Sequence, residues 1–420
     1  MNAVAEQYVK LVLAVGQHDA AYVDAYYGPA EWKMEAERQT PSLAEIDVQA
    51  ARLIDDLGPA PPEATRMDAL RHVYLARQLQ ALRFRVRMLT LKAAGRALPS
   101  FDEESAALYN AVAPTHSDGY FQAALDELSE RLPSGGSLAE RYEAFKQAFV
   151  IPPGRLSRVF DTAIAECRRR TGQYLTLPPG ESFTVGYVTN KSWSGYNWYQ
   201  GAYQSLIQVN TDLPIHIDRA VDLACHEGYP GHHVYNSLLE YALVRGRGWV
   251  ELTVFPLFSP MSLIAEGTAN YGIDLTFPGD ERVAFERDVL FPMAGLDPSE
   301  AGDYCAVLAL TQRLSHAGNE AARRYLNGEI DRPAAVAWLA RFALMSPPRA
   351  EQRTRFMDEY RSYVINYNLG QDLVKQYVES QVASAAADEQ ATGGSFDERA
   401  TRWRVFARLL TSPRLPSTLS

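Results

Sequence analysis

Residues 226–233 read His-Glu-Gly-Tyr-Pro-Gly-His-His, and residues 262–272 read SLIAEGTANYG. Three imidazoles and a carboxylate in eight positions, in a chain with only eight histidines, are the materials of a zinc site. Neutral imidazoles bind the metal, and a neighbouring carboxylate moves protons for the water that the metal activates. Glu266 offers a third ligand from a second helix. The usual zincin spacing, His-Glu-x-x-His, is absent, because Pro230 stands four positions after His226. On a regular helix His233 would share the face of His226 but lie roughly 10 Å along the axis, and His232 would point about 240° away. Neither geometry lets two rings reach one ion at ~2.1 Å. Pro230 and Gly231 supply a remedy, since proline interrupts the helical ladder and glycine accepts a bulge. A bulge that absorbs two residues favours His232 as the second ligand, with His233 as a supporting or substrate contact.

Glu227, directly after the first ligand, is the candidate general base. Asp222, one turn before His226, and Asn270, one turn after Glu266, are candidates to orient the ligands by hydrogen bonding. A His, His, Glu set leaves a coordination position open, as catalytic zinc requires. The plainer alternative is that HEGYPGHH is an exposed helix end with a Pro-Gly turn, and Glu266 inside an apolar, small-residue helix argues against it.

Around this centre the periodicity predicts helices. The N-terminal spacing of Val4, Tyr8, Leu11, Val12 and Val15 gives an amphipathic helix, not a signal peptide. Further helices are expected over 42–57, 64–95, 101–113, 119–131, 137–149, 216–245, 260–275, 281–293, 298–326, 332–344 and 348–380. Residues 182–213, rich in Thr, Val, Tyr and Trp, break the pattern as short strands, with 205–210 as one strand. Residues 383–395 look like an exposed linker before a short C-terminal helix. The expected fold is mainly α, organised as an N-terminal helical region (1–150), a metal-binding region (151–382) and a linker with its helix (383–420) in one continuous unit.

Composition narrows the function classes. With 41 Lys and Arg against 51 Asp and Glu, the formal charge of −10 disfavours nucleic acid as a partner. The arginines spread along 64–95 are expected to be solvated or ion-paired. Three cysteines without CxxC spacing suit a reducing compartment, and no apolar run suggests a membrane span, so a cytoplasmic location is expected. No GxSxG elbow, P-loop or GxGxxG fingerprint occurs. Cys225 is expected to be a buried structural residue. Trp193, Tyr196, Trp198 and Tyr199 could line a groove or pack a small sheet.

HEGYPGHH followed by AEGTANYG resembles the bacterial peptidase-like family with the motif His-Glu-x-x-Pro-Gly-His-His, which is similar to the gluzincin superfamily of thermolysin- and neurolysin-like metallopeptidases. SLIQVNTDLP (205–214), YNLGQDL (367–373) and YVDAYYGP (22–29) are similar to other segments of that family. The resemblance covers roughly residues 180–380. It departs at Thr268, where the family often carries a large aromatic residue. It implies a gluzincin-like fold and Zn2+ on His226, Glu266 and one of the paired histidines, with Glu227 as base. It further implies a substrate strand at 205–210, with Gln208 and Asn210 as contacts, and Tyr367 as the oxyanion donor. The expected activity is hydrolysis of a peptide or small amide. A non-catalytic zinc-binding protein and a hydrolase of a non-peptide amide or ester are the alternatives.

Overall fold

Three Ser-x-x-Glu boxes start helices where the sequence predicts them. Ser42, Ser100 and Ser137 each accept a hydrogen bond from the backbone three residues on, and Glu45, Glu103 and Glu140 return it. The computed structural model that carries these caps describes the whole chain except residues 61–63, 192, 393–394 and 420. The chain is mainly helical, as expected. Asn2–Gly16 buries Val4, Tyr8, Leu11, Val12 and Val15 together. Arg66–Ala93 lies within the predicted 64–95, and Arg71, Arg83 and Arg85 are ion-paired. Arg71 donates two bonds to the buried Glu251 (2.6 and 3.0 Å), Arg85 holds Asp19, and Arg83 holds Asp47.

Several predicted helices are broken. The expected 216–245 helix divides into Asp218–Leu223, a wide π-type turn Ala224–Gly228, an extended link, and His232–Leu239. The span 298–326 breaks between Gln312 and Ala317, and 348–380 breaks at Arg361, which has φ 50. Helices Ala30–Gln39 and Leu156–Gly172 were not expected. The predicted linker is a correction. Helix Ile365–Thr392 continues through ASAAADEQ, because alanine has the highest helix propensity; residues 393 and 394 lie outside those described. The final helix Glu398–Leu410 buries Trp403, Phe406, Leu409 and Leu410 against the same apolar core that contains Val4 and Tyr8.

Among the described residues five strands form two sheets. β1 (Val23–Tyr26) pairs antiparallel with β5 (Val254–Pro256), with an irregularity between Val23 and Ala25. β2 (Ser182–Val188), β3 (Gly195–Gly201) and β4 (Gln204–Asn210) form the sheet expected from 182–213, ordered β2-β4-β3. Among the described residues no helix is long and apolar enough to cross a membrane.

One close helix crossing positions the site. Helix Pro260–Thr276 meets helix Ile365–Thr392 backbone to backbone, so that a Cβ added at Gly267 would lie 2.4 Å from the Gly370 carbonyl oxygen. Only glycines allow that approach. It sets Glu266 and Asn270 beside Tyr363 and Tyr367. The YNLG segment and the Glu-Gly pair are therefore two halves of one contact.

Candidate metal centre

The chain turns sharply between the two histidine-bearing segments. The Tyr229 amide bonds back to the Ala224 carbonyl (3.0 Å), and the Gly231 amide to the Cys225 carbonyl (2.9 Å). Both bonds reach further back than an α-helix permits, so extra residues are taken up before the next helix starts at His232. The kink lies where Pro230 and Gly231 led the sequence reading to expect it, but it begins six residues earlier. Gly231 is sterically required: an added Cβ would stand 1.9 Å from the His226 carbonyl oxygen.

His226, His232 and Glu266 converge. Their nearest ligand atoms are separated by 3.1 Å (Nε2 to Nε2), 3.3 Å (His226 Nε2 to Glu266 Oε2) and 3.7 Å (His232 Nε2 to Glu266 Oε2). Ligands at about 2.1 Å in a tetrahedral shell stand about 3.4 Å apart. The point equidistant from these three atoms lies about 2.0 Å from each, within the roughly 2.0–2.2 Å of zinc–imidazole and zinc–carboxylate bonds. Glu266 Oε2 is buried and has no hydrogen-bond partner, whereas Oε1 accepts from the Tyr363 hydroxyl at 2.8 Å. A buried carboxylate oxygen without a donor is costly unless a cation faces it. Donor types, spacing and this orphaned oxygen all fit zinc.

Asn270 fixes the tautomer. Its Nδ2 donates to the Tyr367 carbonyl (2.9 Å), which turns its Oδ1 toward His226 Nδ1 (2.9 Å). Nδ1 then carries the proton, and the Nε2 lone pair faces the other ligands. With only protons to balance Glu266, burial works against a charged His226, but the Glu266 carboxylate 3.3 Å away, the Glu227 charge and Asn270 outweigh it and push the ring up to about 9. Burial works to raise Glu266, yet the two imidazoles hold it far below the usual carboxylate range. The rings retain 14% and 16% exposure, so neither is sealed from solvent.

Glu227 is 4% exposed, and no described side chain hydrogen-bonds its carboxylate. It packs against β3, where a Cβ at Gly195 would stand 2.9 Å from Glu227 Oε1, and Asn197 Nδ2 donates to the Glu227 carbonyl (2.7 Å). The Tyr367 hydroxyl bonds to no described residue. Burial raises its pKa first and the Glu266 charge second, and its ring stands edge-on to that of Tyr363 (centroids 5.8 Å apart), which holds Glu266.

Other expected residues lie elsewhere. His233 is fully buried, with Nδ1 on Ser205 (2.9 Å) and Nε2 on Glu181 (2.9 Å); both nitrogens are occupied, so it ties the helix to the sheet and has no free nitrogen to offer a substrate. Asp222 pairs with Arg282 (2.9 Å) and Arg219 (3.1 Å) instead of His226, because the π-type turn rotates it off the ligand face. Strand 205–210 cannot receive a peptide, since β4 is bonded on both sides by β2 and β3. Gln208 accepts from the Trp198 indole (3.0 Å). Asn210 donates to the carbonyls of Lys191 and Trp193, closing the loop between β2 and β3. The aromatic set divides: Tyr196 makes tilted ring contacts with Trp193 and Trp198, and Tyr199 is buried against Glu240. Cys225 is buried, as expected, but its sulfur lies 3.3 Å from that of Cys167, which sequence separation concealed.

One neighbour of the centre escaped the sequence reading. Tyr363, which holds Glu266, stands one turn before Tyr367, a spacing that could have suggested it.

No family model matches the chain, and no curated protein does. Among solved structures it is similar to a provisionally named lipoprotein from Colwellia psychrerythraea (15% identity, 90% of this chain and 71% of that one, TM-score 0.48). A provisionally named lipoprotein of unknown function from Shewanella oneidensis gives 14% identity over 90% of this chain and 75% of that one, with TM-score 0.45. A structure named BsuCP gives 11% identity over 97% and 90%, also at TM-score 0.45. Likeness at this level decides neither fold family nor activity.

Proposed function

We propose that the protein is a zinc-dependent hydrolase of peptide or related amide bonds. The observation that carries this reading is the orphaned, buried Glu266 Oε2 at 3.3 and 3.7 Å from two imidazole nitrogens, the spacing of ligands around one zinc ion, with the Glu227 carboxylate following the first of them in sequence.

His226, His232 and Glu266 would hold the cation, which supplies Lewis-acid activation of a carbonyl and of water when bound. Asn270 and Tyr363 keep the ligands oriented. Glu227 accepts a proton from the attacking water on its carboxylate and returns it to the leaving amine, so one group serves as base and then acid. Its freedom from hydrogen bonds leaves both oxygens available for that exchange. The Tyr367 hydroxyl, kept protonated by burial and by the Glu266 charge, donates to the oxygen on which negative charge develops.

The test is Glu227→Gln. Protein purified without a histidine tag should carry about one equivalent of zinc in both forms. The wild type should hydrolyse members of a mixed peptide library, and the variant should be slower by at least about 100-fold. Equal rates would remove Glu227 from the mechanism, and a zinc-loaded wild type that cleaves nothing would leave a binding protein.

A further inference from the structure

Two histidines away from the centre share the property that marks Glu266. His116 lies on the link between helices Phe101–Tyr109 and Asp118–Arg131, and His316 stands at the start of helix Ala317–Leu326. Their rings meet with centroids 5.1 Å apart, tilted by 60°. His116 Nε2 and His316 Nδ1 are both buried, and neither has a hydrogen-bond partner. A direct N–H···N bond between the rings would satisfy both atoms, and none forms. Buried polar atoms in folded proteins almost always have a partner, and where the chain supplies none an ion can serve.

Ring spacing fits one shared ion. A nitrogen bound at about 2.1 Å sets the metal about 3.2 Å from the ring centre, so two imidazoles at a tetrahedral angle stand about 5.2 Å apart. The observed 5.1 Å lies close to that, and the His226 and His232 rings stand 4.7 Å apart. The other His316 nitrogen, Nε2, meets Asp372 Oδ2 at 2.9 Å. A carboxylate there holds the proton on Nε2 and leaves the Nδ1 lone pair free, the arrangement of ligating histidines in metal sites. His116 is fixed through its backbone amide, which donates to Glu320 Oε1 (3.0 Å), and through stacking on Tyr120 at 4.1 Å. Burial first, and the His316 charge second, push His116 below its ordinary pKa against the pull of Glu320. That keeps the ring neutral, the form that ligates.

We propose that His116 and His316 form a second cation site, selective for divalent transition metals, with Asp372 orienting His316. Imidazole donors favour Zn2+, Cu2+ and Ni2+ over Mg2+ and Ca2+. Among the described residues no third histidine, cysteine or carboxylate joins these two at ligand distance, so water completes the shell and the ion exchanges freely. A bound ion clips the 110–117 link to the start of Ala317–Leu326. Through Asp372 it also clips both to helix Ile365–Thr392, which carries Tyr367. No residue of the hydrolytic scheme takes part, so this site stands or falls separately from it.

Equilibrium dialysis of the tag-free, metal-depleted full chain against buffered Zn2+ tests the site. Wild type is compared with His116→Phe, Asp372→Ala and Glu266→Ala. Phenylalanine preserves the ring contact with Tyr120, and Asp372 is 59% exposed, so both changes leave the packing in place; circular dichroism verifies each fold. His116→Phe should lose one bound zinc relative to wild type. Asp372→Ala should weaken that same ion by about 10- to 100-fold, the usual cost of removing a carboxylate that orients a ligating histidine. Excess Mg2+ should displace nothing, and zinc-soaked crystals should show an anomalous peak between the two rings. A wild type whose every bound ion survives His116→Phe with unchanged affinity would overturn the proposal, and ions scattered over the surface would give that same result. If Glu266→Ala loses no zinc while His116→Phe loses one, only the hydrolytic centre fails. If the reverse holds, only this site fails.

Discussion

Replacing Gly231 by alanine tests the link between the kink and the proposed metal centre. The added Cβ would stand 1.9 Å from the His226 carbonyl oxygen and 2.4 Å from that of Cys225. Non-bonded carbon and oxygen rarely approach within about 3 Å, so the His226 backbone must retreat by about 1 Å or the turn must open. Metal ligation tolerates errors of only about 0.2 Å. A displacement of about 1 Å in one ring spoils a triangle whose sides are 3.1, 3.3 and 3.7 Å. Zinc affinity should therefore fall by at least about 100-fold, the upper end of what losing a mere supporting contact costs. If the turn holds, the strain should instead appear as about 3 kcal/mol of lost stability, the upper range for overpacking. Competition against a fluorescent zinc chelator and urea unfolding measure the two outcomes. Gly302→Ala is the control, since a Cβ there meets no atom within 4 Å. A Gly231→Ala protein that binds zinc within about threefold of wild type and unfolds at the same urea concentration would refute the steric reasoning.

Asn270→Ala removes the acceptor that orients His226 and should weaken zinc binding about 10- to 100-fold with the fold intact; an unchanged chelator midpoint would show that the tautomer needs no help. In metal-free protein the His226 ring is pushed up from 6.5 to about 9, so its stabilising contribution is complete below pH 6.5 and disappears as pH rises through 9. That contribution is on the order of 3 kcal/mol. Urea unfolding of metal-free wild type relative to His226→Gln should show the difference shrinking between about pH 6.5 and 9.5, and a pH-independent difference contradicts the assignment. Gly267→Ala drives a methyl to 2.4 Å from the Gly370 carbonyl oxygen, forcing two core helices apart. It should cost about 2–3 kcal/mol and weaken zinc binding through Glu266; a silent substitution would mean the crossing is looser than its geometry.

Local chemistry legible in the chain determined most helices and the composition of the centre. Ser-x-x-Glu boxes act over three residues, and amphipathic periodicity over a few turns, so Asn2–Gly16, Leu43–Leu57 and Arg66–Ala93 follow from their own sequences. His226 and Glu266 were identifiable because imidazole and carboxylate in an apolar setting have few other uses. Pro230 and Gly231 announced a kink without giving its shape. The choice between His232 and His233 depended on that shape, because one ring meets Glu266 while the other is taken by Ser205 and Glu181, residues distant in the chain. Asp222 followed helical spacing in the sequence and lost its place to a wide turn and to Arg282. The central position of β4 and the Gly267–Gly370 crossing both depend on partners far away in sequence. Short-range backbone preferences are written residue by residue, whereas which side chains share a cleft is decided only when the core closes around them.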